Sequence, residues 1–204
     1  MNLPNKLTIG RMFAIPLIIA CSLIPFFNNY VLFGEGQSAV TLENILILVI
    51  FCIAATTDFL DGHIARKHNL VTDFGKFMDP LADKLLVLAA LIVLLERGRM
   101  TVFDYSFGFV ITIILAREFM VTGIRLLAVD NNVVIAASKL GKLKTISQMI
   151  MIILLLLNGY PFTLISGFAR EVAMLTMIIL AGSLTLISGI DYFIKNKAII
   201  LRSK

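Results

Sequence analysis

Six apolar blocks run through this 204-residue chain, and the polar residues that complete five of them sit at one end of each block. Their cores are Met12 to Phe27, Ile45 to Thr57, Leu85 to Leu95, Phe107 to Ala116, Ile146 to Leu157 and Val172 to Ile190. A helix needs about 20 residues to cross the hydrocarbon of a bilayer. Several of these cores are far shorter, so polar residues must complete them. In the second block the polar part comes last (Asp58, Asp61, Arg66), and in the third it comes first (Asp79, Asp83, Lys84). In the fourth it comes last (Arg117, Glu118, Arg125), and in the fifth first (Lys142, Lys144, Thr145, Gln148). The first block opens with Asn5, Lys6, Thr8 and Arg11. If successive helices alternate in direction, all five polar ends fall on one side. Charge at that depth is costly in lipid and must face other charge or water, which predicts a hydrated, charged cavity in that half of the bilayer.

Composition excludes the soluble alternative. Apolar residues make up 59% of the chain against about 45 to 50% in a typical soluble domain, charged residues only 15%, and the mean hydropathy is +0.95. One water-exposed domain cannot hide that much apolar surface. The expectation is an all-α integral membrane protein of six transmembrane helices, forming one domain over residues 1–204. An even number of spans puts both termini on one side. That side carries Lys6, Arg11, Arg66, Lys67, Lys76, Lys139, Lys142, Lys144, Lys195, Lys197, Arg202 and Lys204, against Arg97, Arg99 and Arg170 opposite. The positive-inside bias therefore places both termini, and the polar cavity, on the cytoplasmic side of the cell membrane.

The net charge of +5 is scattered between apolar blocks, a pattern suited to anionic lipid or an anionic substrate rather than nucleic acid. Cys21 and Cys52 lie inside apolar stretches with no second thiol or histidine at ligand spacing, and read as small buried hydrophobes. The first block has a basic flank like a signal peptide, but the bulky Ile24-Pro25-Phe26-Phe27 that follows resembles no cleavage site, so it is expected to remain as a span. His63 and His68 read as interface residues, and Lys195 to Lys204 as a solvated tail touching lipid headgroups.

Five of the thirteen acidic residues, Asp58, Asp61, Asp73, Asp79 and Asp83, crowd the end of the second block and the start of the third. Asp58 and Asp61 are three apart and Asp79 and Asp83 four apart, so each pair shares a helix face. An antiparallel return brings the two faces together, and four carboxylates converge. Like charges so close cannot all stay ionised without a cation among them. All-oxygen carboxylate ligation suits Mg²⁺ or Mn²⁺, and four ligands can hold two ions about 4 Å apart. Asp73 lies off both faces and reads as a turn or N-cap residue. Pro80 leaves two possibilities, a helix that starts there or one that kinks there.

The stretch Asp58-Phe59-Leu60-Asp61-Gly62-His63-Ile64-Ala65-Arg66, followed by Gly75-Lys76-Phe77-Met78-Asp79-Pro80-Leu81-Ala82-Asp83, resembles the signature of the CDP-alcohol phosphotransferases: D-x-x-D-G-x-x-A-R, eight residues, then G-x-x-x-D-x-x-x-D. All eight defining positions match. The resemblance implies transfer of a phosphatidyl or similar group from a CDP-linked donor to an alcohol, with release of CMP. It further implies that Asp58, Asp61 and Asp79 bind one metal ion, that Asp79 and Asp83 contribute to a second, and that Asp83 is the general base. Gly62, Arg66, Thr72 and Gly75 are then expected at the donor, CDP-diacylglycerol.

Asn2 to Thr8 with Arg11, the pair Arg117-Glu118, and Gly141 to Thr145 with Gln148 resemble the bacterial branch of that family that makes phosphatidylglycerophosphate. The implied acceptor is glycerol-3-phosphate, a dianion that needs a basic pocket of its own. Its candidates are Thr8, Arg11, Arg117, Arg125, Lys139, Lys142 and Lys144. For Arg117 the rival reading is a buried structural pair with Glu118. A sibling transferase with another acceptor (phosphatidylglycerol, serine or inositol phosphate) has less need of this basic set. A divalent-cation transporter also lines a cavity with carboxylates, but here the opposite half of the bilayer reads as unbroken hydrocarbon. The resemblance also implies a homodimer. Ala181, Thr185 and Gly189 at four-residue spacing fit either a helix contact between subunits or packing within one chain.

Overall fold

The computed structural model describes the backbone of residues 3–68, 73–130, 133, 135 and 138–200, and their side chains except at 3, 4, 6, 37, 58–68, 73–77, 130 and 198–200. The chain is mainly helical, and each apolar block lies on a long helix: α1 Leu3–Leu23, α3 Leu42–His68, α4 Asp73–Glu96, α5 Phe109–Asp130, α6 Lys139–Leu156 and α7 Gly167–Ile200. A short α2, Pro25–Asn29, follows α1. The first block was expected to reach Phe27. It breaks at Ile24, which is extended (φ −89°, ψ 107°) because the ring of Pro25 disfavours a helical residue before it.

The helices run without interruption from apolar core into charged stretch, which is how short cores become long helices. Helix α4 begins at Asp73 and passes through Pro80, at the loss of one intrahelical hydrogen bond. Helix α6 starts at a capping serine: Ser138 Oγ accepts from the backbone N–H of Gly141 at 3.0 Å. By length and composition, Gly167–Lys197 is the stretch of the described residues long and apolar enough to cross a membrane, while Leu7–Leu23 and Leu42–Thr57 are shorter apolar helices.

Helix α1 packs on α3 and α4, and α7 on α5 and α6; the two trios meet where α6 touches α3 and α4 and where α4 touches α5. Ile18, Ile47, Phe51, Leu91, Met151, Ile152, Leu155 and Ile178 fill the middle and are buried. The outward faces carry large apolar side chains such as Phe13, Ile53, Phe119, Phe168 and Ile187, a surface that suits lipid. The Ala181, Thr185 and Gly189 stripe faces inward: Ala181 and Thr185 are buried, and Thr185 Oγ1 accepts from Gln148 Nε2 at 3.0 Å.

Two hairpins break the purely helical expectation, both at the end where α1, α4 and α6 finish. Strand β1 (Val31–Phe33) pairs antiparallel with β2 (Val40–Thr41), and β3 (Thr101–Val102) with β4 (Tyr105–Ser106). The β3 to β4 turn places Phe103 and Asp104 at φ 50° and 63°, as a type I′ turn requires. This end was expected to be unbroken hydrocarbon, yet it holds buried polar groups that finish helix ends. Arg97 donates to Glu43 at 2.9 Å and to the carbonyl of Ser22 at 2.5 Å. Asn44 donates to the carbonyl of Leu156 at 2.7 Å, and Arg170 to the carbonyl of Asn158 at 3.0 Å. Burial, and then the neighbouring Arg170, hold the Arg99 guanidinium below its ordinary range.

Candidate active site

The opposite end gathers the polar starts of α1, α4 and α6 and the polar finishes of α5 and α7. Asp79 and Asp83 stand one turn apart on α4. Helix α1 runs in the same direction beside it, so its residues pair with α4 in step. Thr8 Oγ1 donates to Asp79 Oδ1 at 2.5 Å, and Arg11 Nη1 pairs with Asp83 Oδ1. The Arg11 side chain is fully buried while that of Asp83 is 42% exposed, so the cation sits behind the carboxylate and the carboxylate faces the open side.

The contacts continue across the bundle. Lys84 Nζ donates to Thr122 Oγ1 of α5, whose hydroxyl donates to the carbonyl of Glu118 one turn earlier at 2.7 Å. Glu118 Oε1 accepts from Arg117 Nη1 at 3.1 Å and from Lys144 Nζ of α6. Lys144 is only 5% exposed. Farther along α5, the Arg125 guanidinium lies 5.9 Å from the ring centroid of Tyr192 on α7, with Nε 3.3 Å from its hydroxyl. Spacing of three or four residues explains each half of these contacts: Thr8 and Arg11, Glu118 and Thr122, Lys144 and Gln148 each share a helix face.

The seven acceptor candidates therefore fall into four places. Thr8 and Arg11 hold the α4 aspartates; Arg117 and Lys144 share Glu118; Arg125 stacks on Tyr192; Lys139 and Lys142 are exposed on the first turns of α6. The Arg117 to Glu118 contact weighed as a structural pair is present, with Lys144 as a third member. Thr72 lies outside the described residues, as do the side chains of Asp58, Asp61, Gly62, Arg66 and Gly75; the backbones of these five lie at the C-terminal end of α3 and the start of α4. Lys84, Thr122, Gln148 and Tyr192 were not among the sequence candidates. Lys84 and Gln148 stood among the polar residues completing their blocks, and Gln148 in the resemblance as well, whereas Thr122 and Tyr192 had no signal beyond polarity.

Asp79 and Asp83 offer carboxylate oxygen alone, the donor chemistry of a hard divalent cation, and the open face of Asp83 is consistent with one. Among the described residues no group of three candidate ligands occurs, since two of the four aspartates fall outside them. Two clefts of about 360 and 260 Å³ lie far from this site, at the hairpin end, lined by residues such as Asp104, Phe168, Arg170 and Glu171.

The family model described as CDP-alcohol phosphatidyltransferase matches residues 1–187. The chain is 42% identical over 195 residues to the CDP-diacylglycerol--glycerol-3-phosphate 3-phosphatidyltransferase of Bacillus subtilis, covering 96% of this chain and 95% of that one. It is 38% identical over 192 residues to the enzyme of the same name from Rickettsia typhi, covering 94% and 95%.

Proposed function

The chain belongs to the CDP-alcohol phosphatidyltransferase family, and from that premise we propose that it transfers the phosphatidyl group of CDP-diacylglycerol to glycerol-3-phosphate, giving phosphatidylglycerophosphate and CMP. One observation carries the reading: the paired carboxylates Asp79 and Asp83 share an end of the bundle with a cation cluster, the half-buried Lys84 and Arg117 and the buried Lys144. The first suits proton abstraction beside a diphosphate, and the second suits a phosphate monoester.

In this reading Asp83 accepts the proton of the 1-hydroxyl of glycerol-3-phosphate as its oxygen attacks the phosphatidyl phosphorus. The bond to the CMP oxygen breaks, and CMP leaves. Arg11 and Thr8 hold the two α4 aspartates in place. Asp58, Asp61, Asp79 and Asp83 would hold Mg²⁺ or Mn²⁺ as a two-ion site, which supplies neutralisation of the diphosphate and of the leaving group. Gly62, Arg66, Thr72 and Gly75 would receive the nucleotide part of the donor. Arg117 and Lys144 bind the acceptor phosphate, with Lys139, Lys142 and Arg125 adding to the local positive field.

The whole chain, residues 1–204, acts as one membrane domain with six spans. Both termini and the site face the cytoplasm, in keeping with the lysines and arginines concentrated at that end. The working form is a homodimer. Because the Ala181 to Gly189 stripe is used inside the chain, the dimer face lies elsewhere among the exposed apolar residues.

The test is CMP release from labelled CDP-diacylglycerol by purified protein, with glycerol-3-phosphate, serine, phosphatidylglycerol and inositol phosphate offered in turn. Release with glycerol-3-phosphate alone is expected. Release with another acceptor alone reassigns the acceptor, and no release with any of them overturns the transferase reading.

A further inference from the structure

The geometry points to Glu118 as the positioning residue of the acceptor pocket, a carboxylate that holds Arg117 and Lys144 within a bounded separation without itself touching the acceptor. This rests on the reading of Arg117 and Lys144 as acceptor residues. A single atom, Glu118 Oε1, accepts from both Lys144 Nζ of α6 and Arg117 Nη1 of α5. Two cations held on one oxygen are each kept within hydrogen-bond reach of the same atom, so the separation of ammonium and guanidinium is bounded from above. Lys84 is tied to the same residue by another route: its Nζ donates to Thr122 Oγ1, which donates to the Glu118 carbonyl.

The charge count separates a positioning role from simple neutralisation. Among the described side chains the electrostatic neighbours of Glu118 are Lys144, Arg117 and Lys84, three cations about one carboxylate, a formal excess of two positive charges within that set. Arg125 and Asp83 also act on Lys84, with opposite signs. A structural ion pair inside a helix bundle balances, because unpaired charge there is costly. An excess of two positive charges matches a phosphate monoester dianion.

The backbone gives Arg117 a slot of its own. A Cβ on Gly189 of α7 would come 3.0 Å from Arg117 Cγ and 3.5 Å from Met120 Cε. A Cβ on Gly141 of α6 would lie 3.7 Å from Arg117 Nη2. The stem therefore lies flat on one glycine while the head reaches the first turn of α6 beside another. A Cβ at 189 would press on the Arg117 stem until it gave by a few tenths of an ångström, so the part of Gly189, like that of Glu118, is exerted through Arg117.

The experiment measures Michaelis constants for both substrates, and the melting temperature in detergent, for Glu118→Gln, Glu118→Asp, Gly189→Ala, Lys144→Ala, Arg117→Ala and the double variant Glu118→Gln/Lys144→Ala. In Glu118→Gln the acceptor KM is expected to rise about tenfold with the donor KM within about twofold, and Glu118→Asp to fall between it and the wild type. In the Lys144→Ala background, adding Glu118→Gln is expected to raise the acceptor KM by clearly less than its effect in the wild type, because one of the two groups it positioned is gone and only Arg117 remains. A full multiplicative effect there would mean direct contact with the acceptor and would overturn the assignment. A fall in melting temperature with unchanged acceptor KM would also overturn it, leaving a structural role. Should Glu118→Gln not fold, Gly189→Ala carries the test: its acceptor KM is expected to rise about threefold at unchanged donor KM, and a folded variant with both constants unmoved overturns the inference. Failure of the acceptor-site reading looks different, since Lys144→Ala and Arg117→Ala would then leave the acceptor KM unmoved.

Discussion

The two ends of the helix bundle are both polar and both partly buried, but they use charge in different ways. At the hairpin end the cations point at backbone carbonyls, and Arg97 at the carboxylate of Glu43 as well. Arg97 reaches the Ser22 carbonyl, Arg99 the Ala39 carbonyl and Arg170 the Asn158 carbonyl, so each guanidinium finishes a helix or a loop that would otherwise leave carbonyls unsatisfied. At the other end the cations point at side-chain carboxylates, Arg11 at Asp83, and Arg117 and Lys144 at Glu118. A neutralised pair such as Arg97 with Glu43 is explained by folding, whereas a cluster whose described cations outnumber the carboxylate they meet, as around Glu118, is what an anionic ligand explains. Between the two ends the packed core around Phe51, Leu91 and Met151 keeps them separate.

The comparison is most sharply tested by substitutions that should affect one end alone. Asp83→Asn keeps size and removes the base, so turnover with glycerol-3-phosphate per folded molecule should fall by about 10³-fold; activity within tenfold of wild type would remove the proton-transfer role. Arg97→Ala should do the reverse. It leaves the nearly buried Glu43 without its partner, at a cost of about 3 kcal/mol in stability, while turnover per folded molecule stays unchanged. A catalytic defect there would erase the distinction between the ends. Lys144→Ala should raise the acceptor KM about tenfold and the donor KM much less, and equal effects on the two would make the cluster structural. Asn158→Ala, which loses its bond to the Ala39 carbonyl and its contact with Arg170, should cost about 1 kcal/mol of stability and nothing in either KM.

Much of the near end was legible in the sequence because helical spacing is local. The four-residue step from Asp79 to Asp83, and the polar starts of α1, α4 and α6, need no knowledge of neighbours. The far end was not legible. Glu43 and Arg97 are 54 positions apart, Asn44 and Leu156 112 apart, and nothing in either segment announces its partner. The hairpins were missed because each strand is only two or three residues long, too short for alternation to register. Arg11 was placed with the acceptor by charge and by the resemblance of the N-terminal stretch, and its pairing with Asp83 depends on the register of α1 beside α4, which neither segment encodes alone. The inward turn of the Ala181 and Thr185 stripe depends on Gln148 reaching across from α6, a contact that spacing within α7 does not encode. Family membership lay in the eight signature positions, and the relatives extend the likeness over nearly the full chain.

Binding of Mn²⁺ measured by electron paramagnetic resonance on the purified, detergent-solubilised protein goes most directly to the claim that the near end is built for chemistry and the far end for folding. The wild type and Arg97→Ala should quench the free-ion signal to the same extent, whereas Asp79→Asn and Asp83→Asn should quench it far less. Equal quenching by all four proteins, or a loss confined to Arg97→Ala, would contradict the account.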